Sequence, residues 1–238
     1  MTKHAFIVTS AINSKFGVYS PRERLDQTLN TIATIKQRVP DALIVVMEVC
    51  GTPIKDLQAN QLKEVCHVFI DCSTDEDVQA LYDNDNWDVV KNGTEIMCFS
   101  RVLGILQQEN MLNGFDRVHK VSGRYLLNDD FKLDLYERDD IKDKIVIGPA
   151  QPSQFPPEVT QVPLQYMARL WSWPTTMTDE VIQVYLDSFN FFAERLANGG
   201  YVDIEHVLYK FLPQEHVHNE PLLGVEGHIA PNGVQIKN

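Results

Sequence analysis

The chain lacks both of the glycine-rich phosphate loops that mark nucleotide enzymes most plainly, since neither G-x-G-x-x-G nor G-x-x-x-x-G-K-[ST] occurs in it. Dinucleotide-dependent dehydrogenases and P-loop enzymes lose their fingerprints accordingly. No apolar run approaches the roughly 20 residues that a membrane-crossing helix needs, so no membrane span is expected. The opening MTKHAFIVTS sets one lysine before a short apolar run with no small-residue cleavage site, and the closing VQIKN carries no lipidation pattern. An export leader is therefore not expected, and a cytoplasmic location is. Cysteine is sparse: Cys50, Cys66, Cys72 and Cys98 form no C-x-x-C pair and sit in or beside apolar segments, which points to reduced core thiols. Basic residues are also in deficit, 21 against 33 acidic ones. The resulting net charge of −12 disfavours a broad nucleic-acid-coating surface and leaves room only for a local basic groove.

What remains is ordinary globular material. With 238 residues, 44% of them hydrophobic and 23% charged, the chain can bury a proper core in a single elaborated domain. No internal repeat or low-complexity tract interrupts it. His4 to Val8 reads as a buried strand that runs into polar Thr9-Ser10. Ser20-Pro21 then opens a helix over about 21–38, with Leu25, Leu29, Ile32 and Ile35 on one face and Pro40 beyond its end. The run 42–48, ending in Glu48, makes a second strand, and strand, helix, strand in this order implies a right-handed parallel crossover. A shorter helix over 57–65 and a strand over 67–71 continue the alternation.

Residues 73–92, rich in acids around Trp87, read as a surface excursion. Gly93-Thr94 then starts a helix of about 94–110, followed by a strand from Arg117 to Gly123. After a strand at 145–148, six prolines between 149 and 174 together with Trp171 and Trp173 suggest irregular structure, such as a lid over a cleft. Two further helices are expected over 179–197 and 203–211. The fold class is thus α/β, with a Rossmann-type, mainly parallel sheet flanked by helices.

Ligands in such sheets bind beyond the C-terminal strand ends, so Thr9, Ser10, Glu48, Asp71 and the Ser122-Gly123-Arg124 turn should gather on one rim. Within Lys120-Val-Ser122-Gly123-Arg124-Tyr125, two cations, a hydroxyl and a glycine follow a strand and could hold a diphosphate, with a base or sugar against Tyr125. The same spacing also suits an Arg124 ion pair and a packed Tyr125. In Tyr201-Val-Asp203-Ile-Glu205-His206, the residues Asp203, His206 and Lys210 would share a helix side, as a base with a cation or as a salt-bridged surface. His216-Val217-His218 can be read as a zinc site or as an exposed loop or strand.

Several stretches together resemble the small GT-A-type glycosyltransferases of bacteria and large bacterial viruses. They are Phe6-Ile-Val-Thr9-Ser10-Ala11, Arg24-Leu-x-x-Thr28-Leu-x-Thr31-Ile32 leading to Glu48, Gly93-x-Glu95, Lys120-x-Ser122-Gly123-Arg124-Tyr125, Ile204-Glu205-His206 and Gly227-x-Ile229-Ala230-Pro231-x-Gly233. The resemblance implies a single GT-A-like domain over 1–238, with about 1–125 holding a nucleotide-sugar donor and about 126–238 forming an acceptor lobe. It places Thr9, Ser10 and Arg24 near the nucleotide, Glu48 near base or ribose, and Gly93, Glu95, Lys120, Ser122, Gly123, Arg124 and Tyr125 at the donor. A UDP-sugar is the first expectation for the donor. The acceptor is a glycan or, for a virus with hydroxymethylated DNA, a modified pyrimidine.

Transfer with inversion needs a general base, for which His206, Glu205 and Asp203 are the candidates; retention needs none. The resemblance departs at one point. GT-A enzymes usually hold a divalent metal with Asp-x-Asp after the central strand, where this chain has Ser122-Gly123-Arg124. Asn128-Asp129-Asp130 follows closely and could bind Mg²⁺ or Mn²⁺ through Asp129 and Asp130, or form an exposed acidic turn. Without a metal, Lys120 and Arg124 could neutralise the leaving diphosphate. Two other readings stay open: a sugar nucleotidyltransferase, and a non-catalytic carbohydrate-binding or virion-associated module using Trp171 and Trp173 as a platform.

Overall fold

A computed structural model describes residues 2–228 and 234–237 of the chain. Ile229, Ala230, Pro231 and Gly233 of the C-terminal motif lie outside the described residues. The first half alternates β1 (His4–Ser10), α1 (Pro21–Arg38), β2 (Leu43–Glu48), α2 (Asp56–Lys63), β3 (Val68–Asp71), α3 (Glu76–Tyr82), α4 (Trp87–Gln108), β4 (Arg117–Ser122) and β5 (Tyr125–Leu127). The second half adds β6 (Ile145–Ile147), β7 (Gln151–Pro152), α5 (Pro157–Thr160), β8 (Leu164–Gln165), β9 (Leu170–Pro174) and α6 (Thr178–Ala197). It closes with α7 (Ile204–Phe211), β10 (Val217–Asn219), β11 (Val225–His228) and β12 (Gln235–Lys237).

Seven strands form the central sheet in the order β10-β6-β9-β4-β1-β2-β3, drawn from both halves of the chain. All pair in parallel except at β9, which runs antiparallel to both β4 and β6. Alternation along β1 sorts the core into two layers. Ala5 and Ile7 pack with α4, α6 and α7, whereas Phe6 and Val8 pack with α1 and β5. A small sheet, β12-β11-β5, lies beside α1.

Local chemistry accounts for α1 at both ends. Ser20 accepts a hydrogen bond from the Glu23 amide while Glu23 accepts from the Ser20 amide, and Pro21 occupies the first turn, where its missing N–H costs nothing. Leu25, Ile32 and Ile35 recur at helical spacing and are buried.

Several sequence expectations change. The acidic stretch contains α3 and the start of α4, because Asp75 and Asn86 each cap a helix with their side chains. Gly93 consequently lies inside α4, where a Cβ would come within 3.2 Å of Phe192 and 3.3 Å of Leu81, a tight fit between packed side chains. Asn92 beside it is buried and bonds the Tyr201 hydroxyl.

The proline-rich segment also holds β9, a central strand. Its Trp171 and Trp173 are fully buried against Phe99 and Tyr185 rather than exposed on a lid or platform. His218 sits on the edge strand β10 beside Glu220, and among the described residues no group of three metal-ligating side chains converges anywhere. No described helix is long and apolar enough to cross a membrane.

Trp173→Ala should lower unfolding stability by about 3–5 kcal/mol, as measured by urea denaturation. A loss below about 1 kcal/mol would contradict its placement in the core.

Candidate functional site

The sheet reverses its winding between β1 and β4, and such a switch point opens a crevice beyond the strand ends. Register puts the expected rim in line: Thr9 lies opposite Ser122, Ser10 opposite Glu48, and Glu48 opposite Asp71. Gly123 closes the β4 turn against this rim. Its amide donates to the Thr9 carbonyl at 2.8 Å and its carbonyl accepts from Thr28 Oγ1 at 3.2 Å, so a Cβ would stand 2.9 Å from Thr28 Oγ1.

Two cavities adjoin the crevice. The first is lined by Thr9, Ser10, Arg24, Phe16, Tyr82 and Trp87, with Phe16 and Trp87 in edge-to-face contact at 5.7 Å. The second, about 330 Å³, is lined by Tyr125, Gln154, Gln165, Arg169, Asp203 and Glu205, and falls in the range of small-molecule sites. Lys91, Glu95, Ser122 and Arg124 line both and form the seam between them. A larger hollow of about 800 Å³ opens at the opposite end of the strands beside His4, Val39 and Phe115, away from this chemistry.

The residues expected at the donor divide into those that face the cavities and those that hold them in shape. Arg24 lines the first cavity, but its guanidinium donates to the carbonyls of Ala11, Phe16 and Tyr19, clamping the β1–α1 loop. Glu48 sits behind the lining, 1% exposed. It accepts from Ser10 Oγ at 2.7 Å and from the Ile12 and Cys50 amides, so it ties two strand exits together instead of meeting base or ribose. Burial pushes its carboxyl up to about 7, against the pull of those three hydrogen bonds.

Lys120 is 1% exposed, and its three N–H groups reach Glu95 at 2.7 Å, Ser122 Oγ at 2.9 Å and the Ala168 carbonyl at 2.8 Å. Its donors are committed, so it cannot also bind a leaving diphosphate. Burial raises the Glu95 carboxyl. The charge and hydrogen bond of Lys120, with Lys91 and Arg124 beyond, outweigh that and leave it below its ordinary value. Gly93 faces Phe192 rather than either cavity. Tyr125 is buried, with the Arg124 and Arg169 guanidiniums 5.8 and 5.9 Å from its ring centre.

The three base candidates also separate. Asp203 caps α7 through the His206 amide, and it bonds His206 Nδ1. His206 is fully buried and its Nε2 meets Ser153 Oγ at 2.8 Å, so neither ring nitrogen faces a cavity. Asp203 and Glu205 remain on the wall of the second cavity. Burial and then the Asp203 charge raise the Glu205 carboxyl, with Lys91 pulling the other way. Lys210 lies over the Phe191 ring at 4.7 Å, so the base-and-cation face suggested by helical spacing does not form.

Asp129 pairs with Arg38 at the far end of α1, and Asp130 with Lys237 at 3.1 Å; neither lines a cavity. The pair therefore stands apart from the crevice, and Ser122-Gly123-Arg124 puts a cation where a metal-binding acid would stand. The donor set does not fit a divalent metal there. Sequence reasoning missed Phe16, Tyr82, Trp87 and Lys91. Trp87, Lys91 and Glu95 recur at four-residue spacing on one side of α4, a signal concealed by starting the helix at Gly93.

No family model and no curated protein matches the sequence. Solved structures do match the fold, among them core-mannan synthase A from Aspergillus fumigatus in its Mn/GDP form. That match has 10% sequence identity and a TM-score of 0.55, covering 98% of this chain and 77% of the other. At that identity the likeness shows a shared fold, of GT-A type.

The Glu48 carboxyl binds its proton more tightly folded than unfolded. Its contribution to stability is therefore full below about pH 4.5 and falls as pH rises towards 7, by about 3 kcal/mol in all. Glu48→Gln keeps the acceptor for the two amides and should flatten that part of the stability–pH curve between pH 4.5 and 8. An unchanged slope would show that Glu48 titrates normally.

Proposed function

We propose that this chain is a glycosyltransferase that moves a sugar from a nucleoside-diphosphate sugar to an acceptor hydroxyl. The observation that carries this reading is the seam of Lys91, Glu95, Ser122 and Arg124, shared by two cavities at the switch point of a GT-A-type sheet. The first cavity, about 70 Å³, is too small to enclose a nucleotide, so a donor can set its base at the mouth beside Phe16, Tyr82 and Trp87 and lay its diphosphate along the seam. The acceptor then enters the second cavity. When the bond from the anomeric carbon to the diphosphate breaks, its electron pair leaves with the phosphate oxygen. The acceptor oxygen bonds to that carbon, and the acceptor's proton passes to Asp203 or Glu205.

His206 holds Asp203 in place through Nδ1 and is a positioning residue in this scheme. The resemblance suggests a UDP-sugar, while the structural neighbour is described with GDP, so both bases belong in the test. A neutral glycan suits this chain better than DNA as acceptor, because the net charge of −12 opposes an incoming phosphate backbone. The carbohydrate-platform reading loses its basis, since Trp171 and Trp173 are in the core.

Thermal unfolding with UDP, GDP and their sugar conjugates tests the donor site. A ligand at a hundredfold excess over its Kd should add about 2.7 kcal/mol of stability and raise the midpoint. No shift with any of them at millimolar concentration would overturn the reading. With a donor identified, Asp203→Asn preserves the α7 cap and Glu205→Gln the side-chain shape. The substitution that removes the general base should lower kcat by about 10²–10⁴-fold with little change in donor KM. If both variants keep wild-type kcat, neither carboxylate takes the proton.

A further inference from the structure

The charges along the seam do not serve the same purpose. Lys120 is consumed internally: one N–H neutralises Glu95 and the other two go to Ser122 Oγ and the Ala168 carbonyl. Arg24 is likewise spent on three loop carbonyls. Lys91 and Arg124 differ. Both are half-buried and both border the two cavities. Among the described residues, neither side chain makes an ion pair or a hydrogen bond. Arg124 Nε is moreover shut away from solvent with no acceptor, which is costly for a guanidinium unless a ligand completes the site.

Resting on the transferase reading, we infer that Lys91 and Arg124 form a metal-independent diphosphate subsite, in which a planar fork and a point charge do the work of the missing Asp-x-Asp ion. Three observations converge on it. The acidic element after β4 is replaced by Ser122-Gly123-Arg124. The nearest acids in sequence, Asp129 and Asp130, are engaged by Arg38 and Lys237 away from the crevice. The one carboxylate on the seam, Glu95, is already cancelled by Lys120, so it does not repel an incoming phosphate. Two cations that make no ion pair or hydrogen bond of their own among the described residues therefore border the place where the leaving group gains charge. An arginine fork matches phosphate oxygens in a bidentate manner, and a lysine adds charge without directional demand.

Isothermal titration of the full chain separates this inference from the reading beneath it. UDP, GDP, uridine and guanosine are titrated in EDTA and again in Mn²⁺, with wild type, Lys91→Gln, Arg124→Gln and Arg124→Lys. One diphosphate should bind in EDTA with an affinity that Mn²⁺ changes by less than about threefold. Each Gln variant should weaken that binding by about tenfold or more while leaving the matching nucleoside within about twofold, and Arg124→Lys should recover part of the loss.

Melting of the unliganded variants checks that they fold, and the wild-type comparison of EDTA with Mn²⁺ does not depend on them. Diphosphate binding that requires Mn²⁺, or that both Gln variants leave intact, would overturn the subsite and spare the transferase reading. Wild type that binds no diphosphate under either condition would overturn both.

Discussion

The buried ammonium of Lys120 is the contact on which the rest of the site depends. It collects Glu95 from α4, Ser122 from the end of β4 and the Ala168 carbonyl from the approach to β9, three segments that no local sequence relation holds together. A charge 1% exposed is tolerable only when its donors are all satisfied, and removing one partner of a buried pair typically costs about 3–5 kcal/mol. The pair therefore serves geometry more than stability. It ties α4 to the end of β4 where the two cavities meet.

Glu48 plays the corresponding part on the other side of β1. Its carboxylate gathers Ser10 Oγ and the Ile12 and Cys50 amides, fixing the exits of β1 and β2. The β1–α1 loop that starts there is held again by Arg24, and Gly17 at φ +100° lets the backbone pass that guanidinium, where a Cβ would stand 2.6 Å from Nη2. Buried ionisable groups thus frame the crevice from behind, and the groups that face the crevice are borne on a scaffold whose own polar demands are met.

Much of the fold was legible in the sequence because its signals are local. Apolar runs that end in Thr9-Ser10, in Glu48 and in Asp71 give strands of known direction, and parallel topology alone then aligns them on one rim. The capped, periodic α1 is read to the residue. What was not legible depends on partners far away in the chain. Lys120 reads as a free cation until Glu95 and Ala168 are brought to it. Glu48 reads as a ligand-facing acid until the Ile12 and Cys50 amides close over it.

His206 reads as a base until Asp203 and Ser153 take its two nitrogens. Pro174 at the end of β9 and the proline-rich stretch that precedes it disguise a central strand as a loop, because a three-residue core of Trp171, Ser172 and Trp173 is too short to show alternation. Gly93 misplaces the start of α4 since its small size answers to Phe192 and Leu81, contacts that no propensity encodes. Lys91 and Trp87 were hidden by the same error.

An acidic chain that admits an anionic ligand needs its positive charge in the right place rather than in quantity. At physiological salt, exposed charges are screened over about 8 Å, so much of the −12 is remote from the seam. What a ligand meets there is the local sum. Glu95 and Lys120 cancel, and Lys91 and Arg124 remain. Partly buried charges are screened less than exposed ones, which makes two such cations more effective than a wider basic surface. The second cavity sets Arg169 beside Asp203 and Glu205, so the seam passes from a cationic face to a wall of mixed charge that can meet hydroxyl groups.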